Sequence, residues 1–94
     1  MPYITQEERR EGWEPLLAPL TRSVELECKA GSLDYLITRL CLAYVRGRGK
    51  SFATLATVVG VLVCVVLEVY RRVVAPYEDG KIRANGEVFE KDGT

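Results

Sequence analysis

The side chains with most to offer chemically stand in two short runs. The first is Tyr70-Arg71-Arg72, followed past Pro76 by Tyr77-Glu78-Asp79. An arginine guanidinium grips a phosphate in two places, and a tyrosine ring stacks on a base. Arg71 and Arg72 between Tyr70 and Tyr77 therefore suit a nucleotide, with Glu78 or Asp79 orienting an arginine or accepting a ribose hydroxyl. The same residues have a plainer use. Glu68 and Arg72 form an i, i+4 helix pair, and Arg71, with Leu67 four residues before it, is left to pair with Glu78, Asp79 or the acidic N-terminal segment of a neighbour. The second run is Arg46-Gly47-Arg48-Gly49-Lys50, a basic loop just before a helix start at Ser51. Arg48 and Lys50 can meet an anion there, although the spacing is not that of a P-loop and a solvated turn is the simpler reading. Tyr3, near the N-terminus, is a candidate to close over such a ligand.

Catalysis is not expected. The 94 residues contain no histidine, the commonest general base and metal ligand. That excludes Ser-His-Asp and Cys-His hydrolases. No Asp-x-Asp or Glu-x-x-His pattern marks a metal centre, and no metal or cofactor is predicted. Cys28, Cys41 and Cys64 are spaced neither as a redox pair nor as a zinc ribbon. They read as structural thiols of a reducing cytosol, with no secretory leader ahead of them.

Formal net charge is zero, from thirteen basic and thirteen acidic residues, which argues against general nucleic-acid binding. The balance hides a pattern. Residues 1–31 carry net −2, residues 32–75 net +4 and residues 76–94 net −2. A local anion site fits the basic middle.

The elements that would position these groups read as helices in one domain of an all-α fold, residues 1–94. Thr5 caps a short first element that Gly12 interrupts. Leu16, Leu17, Leu20 and Val24 give a helix from about Pro15 to Cys28, ended by Gly31. Ser32 caps a second helix with a full apolar stripe from Leu33 to Val45, ended by Gly47. Ser51 caps a long third helix, about 51–75. Its residues Phe52 to Leu67 form a run of sixteen without a charge. Valine favours strands, but the run is too long for one. The tail offers either a hairpin at Asp79-Gly80 or Asn85-Gly86, or a helix from Pro76 ended by Gly86, with 87–94 extended or frayed.

Sixteen residues at 1.5 Å per residue give roughly 24 Å, short of the roughly 30 Å hydrocarbon core of a bilayer. The long helix is therefore expected to be a central helix buried nearly all round. So small a chain cannot cover every face of it, so the remainder is expected to meet another copy. A homo-oligomer, a dimer or a tetramer of dimers, is expected to form through the 52–74 helix.

The Met-Pro-Tyr-Ile start, the Gly60-Val61-Leu62 and Cys64 stretch, and Tyr70-Arg71-Arg72-Val73-Val74-Ala75-Pro76-Tyr77-Glu78-Asp79 with Lys81-Ile82 and Asn85-Gly86 resemble a family. It consists of small, largely uncharacterised all-helical proteins of tailed phages and prophages. Val63 and Val66 stand where polar or charged residues are expected in relatives. In size, origin and chemistry the chain is also similar to phage sponge proteins, which sequester nucleotide signals of bacterial antiviral defence. The resemblance implies a non-catalytic protein of the bacterial cytosol holding a cyclic dinucleotide or cyclic ADP-ribose species. Two alternatives are a protein-interaction module, inhibiting a host protein or aiding assembly, and a small holin-like membrane protein.

Overall fold

The structure, a computed structural model, describes residues 4–94. Among them every regular element is helical. The helices are α1 (Gln6–Glu8), α2 (Glu14–Glu27), α3 (Ala30–Arg48), α4 (Phe52–Val69) and α5 (Ala75–Asn85). Two π-helical turns, Arg9–Trp13 and Tyr70–Val74, join α1 to α2 and α4 to α5. Backbone contacts divide the chain into two units, one up to Val61 and one from Leu62.

Both π-turns have the same cause. Each ends two residues before a proline, Pro15 or Pro76. A proline inside a helix donates no hydrogen bond, and its ring presses on the carbonyl four residues back. Widening the preceding turn relieves that pressure without ending the helix. The wide turns close with Glu14 N–H on the Arg9 carbonyl and Ala75 N–H on the Tyr70 carbonyl. Helix therefore continues without a break from Phe52 to Asn85. Pro76 does not stop it, and the tail is a helix rather than a hairpin. Gly12 likewise lies within the first π-turn instead of interrupting the chain.

The caps agree with the sequence at two starts and differ at three ends. Thr5 Oγ1 accepts from Glu8 N–H at 3.1 Å, and Ser51 Oγ accepts from Thr54 N–H at 3.1 Å. Gly31, however, lies inside α3. The turn before it is made by Cys28, held at φ 52° in the left-handed region while its Sγ donates to the Glu25 carbonyl at 2.8 Å. Lys29, not Ser32, is the N-cap residue of α3, and the Ser32 hydroxyl donates to the Glu27 carboxylate instead. Gly47 is helical and Gly49, at φ 92°, ends α3. Gly86, at φ 95°, ends α5 as expected.

The largest departure concerns α4. Its composition predicts burial nearly all round, yet none of the described hydrophobic residues is buried. Thr54 alone reaches that state among the described residues, its Oγ1 accepting from the Ser51 hydroxyl. Phe52 is 88% exposed and Val66 65%. Periodicity predicts which face of α4 is apolar, but among the described residues no other element covers that 18-residue helix. All three cysteines are free thiols, with Cys41 and Cys64 half-buried on their helices.

Two backbone devices can be tested by thermal melting followed at a helical circular-dichroism band. Cys28→Gly relieves a left-handed residue and is expected to add about 0.5–1 kcal/mol. Ser51→Ala removes the α4 cap and is expected to cost about 1 kcal/mol.

Candidate functional site

The arginine–tyrosine segment is organised by the second π-turn. Tyr70, Arg71 and Arg72 are its first three residues, and Tyr77, Glu78 and Asp79 lie in the first turns of α5. The sequence pairs Glu68 with Arg72, four residues on. The structure instead gives Glu68 to Arg71. Arg71 Nη2 reaches both carboxylate oxygens, at 2.9 and 3.0 Å. Helical neighbours three apart meet as readily as those four apart. Neither Glu78 nor Asp79 forms an ion pair with either arginine among the described residues. Arg72 makes no ion pair among the described residues.

The Arg71 side chain is 67% exposed despite its bridge. In that setting an ion pair contributes little and is readily exchanged for a better anion. Tyr70 and Tyr77 are both more than half exposed. The Lys81 ammonium stands 5.5 Å from the centre of the Tyr77 ring, one helical turn on. That contact holds the ring in place and adds a further cation to the segment. Lys81 is not among the residues the sequence singles out, although its i, i+4 spacing from Tyr77 is a readable signal.

The other candidates are placed elsewhere. Arg48 is the last residue of α3 and Lys50 lies in the short connection before α4, both exposed. Tyr3 lies outside the described residues. Among the described residues no cluster of histidine, cysteine, aspartate and glutamate is arranged to hold a metal ion.

A cleft that the sequence does not reveal lies between α2 and α3. It encloses about 270 Å³ and is lined by Leu20, Val24 and Leu36 together with Glu27, Ser32 and Tyr35. Its polar wall arises from the turn at Cys28, which places the Ser32 hydroxyl against Glu27. Beside it Arg39 donates to the Tyr35 hydroxyl at 2.6 Å. The Glu27–Ser32 contact closes part of its polar wall, which suits a packing joint.

Over residues 1–88 the sequence matches the family model described as a domain of unknown function, DUF6899. The chain belongs to this family. The match takes in α1 to α5, so the π-turn segment and the apolar helix both fall within the family's domain. No curated protein and no solved structure matches the chain.

The weakness of the Arg71–Glu68 bridge is directly measurable. Glu68→Gln is expected to lower stability by no more than about 1 kcal/mol in a denaturant titration. A loss of about 3 kcal/mol or more, the scale of a broken buried pair, would show that the bridge holds the segment together.

Proposed function

We propose that the chain is a non-catalytic binding protein that self-associates through α4 and holds a small anionic, nucleotide-derived ligand at the π-turn segment. The observation that supports this reading is the company Arg72 keeps. A guanidinium without an ion pair among the described residues sits beside a second, weakly held guanidinium and two exposed tyrosine rings. Arginine forks supply charge-assisted bonds to phosphate, and the rings supply stacking surface for a base. Glu68, as the carboxylate already on Arg71, is the group the ligand would displace. Glu78 and Asp79 remain for ribose hydroxyls. Arg48 and Lys50 add positive potential from a further copy in the assembly. The resemblance to phage proteins directs the ligand class toward the cyclic dinucleotides and cyclic ADP-ribose species of antiviral signalling, held in the host cytosol.

A second reading has its own observation. The Phe52–Asn85 helix contains an 18-residue window of mean hydropathy 2.5, of which only 6% is buried. That profile also suits a membrane span. Against it, the uncharged run is short for a bilayer, and Glu68, Arg71 and Arg72 stand directly at its end.

Calorimetric titration of the detergent-free protein with a panel of cyclic nucleotides tests the first reading. Binding is expected for at least one member, and Arg71→Ala/Arg72→Ala is expected to weaken it at least tenfold per lost charged bond, on the order of 1.5–3 kcal/mol each. Silence across the panel, or unchanged binding by the double variant, overturns the assignment. Recovery solely in detergent favours the membrane reading.

A further inference from the structure

We infer that α4 is a self-complementary seam on which a second copy of the chain lies antiparallel, with the two-fold axis at Val61. The inference deepens the self-association part of the proposed function and stands apart from its ligand. Phe52, Ala56, Val59, Val63, Val66 and Tyr70 succeed one another at spacings of four, three, four, three and four. At about 100° per residue all six fall within about 40° of one line along the helix. All six are exposed, the large ones from 51% at Val63 to 88% at Phe52. Nothing among the described residues covers this line.

Two features point to a second copy as its cover. The first is symmetry. Reversing the stripe about Val61 places Phe52 on Tyr70, Ala56 on Val66 and Val59 on Val63. An aromatic meets an aromatic at each end, and a small residue meets a larger one between. An isologous contact demands such self-matching, and a lipid surface or an unrelated partner does not. The second is area. Two aromatics able to bury on the order of 150–250 Å² each, with the valines between them and the flanking Leu55 and Leu67, give a face of roughly 700 Å² per copy, near the roughly 800 Å² of a standard specific interface. The alternating spacing sets the helices about 20° apart, and antiparallel pairing aligns their dipoles favourably.

Disulfide trapping decides the matter in the full chain with its natural cysteines replaced (Cys28→Ser, Cys41→Ala, Cys64→Ala). In an antiparallel pair two Phe52 positions stand about 27 Å apart, while each lies on the partner's position 70. Phe52→Cys/Tyr70→Cys is expected to give a covalent dimer on mild oxidation, and Phe52→Cys alone none. Val63→Lys is expected to weaken the dimer at least a hundredfold by analytical ultracentrifugation, with helix content retained. Cross-linking of Phe52→Cys alone overturns the inference in favour of parallel pairing. A detergent-free species that stays monomeric at 100 μM, or an unchanged dimer in Val63→Lys, also overturns it. Should the cysteine replacements unfold the chain, ultracentrifugation of Val63→Lys in the natural background carries the test. A dimer of the natural chain, seen by ultracentrifugation, that ignores every nucleotide overturns the ligand reading alone, and a nucleotide-binding monomer overturns this one alone.

Discussion

The dominant constraint on this chain is an apolar helix whose side chains the described residues leave exposed. Burying a single valine or phenylalanine side chain is worth about 1.5–3 kcal/mol, and α4 exposes many of them. Such a helix acquires a stable environment only when another body supplies it. The remaining elements turn at Cys28 and at Gly49 and contribute no buried hydrophobic residue of their own among those described. On the proposed pairing, folding and association become one event, as in obligate assemblies whose protomers have no stable folded form alone.

The polar chemistry is subordinate to that event. Basic residues flank α4 at both ends, with Arg46, Arg48 and Lys50 before it and Arg71 and Arg72 after it. Bringing such ends together costs repulsion that an anion removes. On the proposed reading, binding and assembly are coupled through charge as well as through geometry, and salt that screens the charge weakens the coupling.

The helical class, the extent of α4 and the Thr5 and Ser51 caps are legible in the sequence because each rests on interactions within a few residues. A hydroxyl three residues before a backbone N–H reads the same in sequence and in space. The ends are less legible. Gly31 and Gly47 stand out as breakers, yet a glycine ends a helix only where the chain must turn. That need arises at Cys28 and Gly49, for reasons of connection rather than composition. Pro76 reads as a stop in a sequence, and a widened turn carries the helix past it. The exposure of α4 is the hardest to foresee, since periodicity shows which face is apolar but not whether anything reaches it. For the site, the residue types are legible and their partners are not. Arg71 rather than Arg72 takes Glu68 because three-residue and four-residue spacings are nearly equivalent on a helix.

The Tyr70–Val74 turn carries one residue more than an α-helical turn would. An added residue rotates the rest of the helix by about 100°. The seam of α4 therefore ends at Tyr70, and the side chains of α5 address another direction. On the proposed reading, a single proline, through that extra residue, lets one continuous helix present a pairing face and a recognition face in different directions.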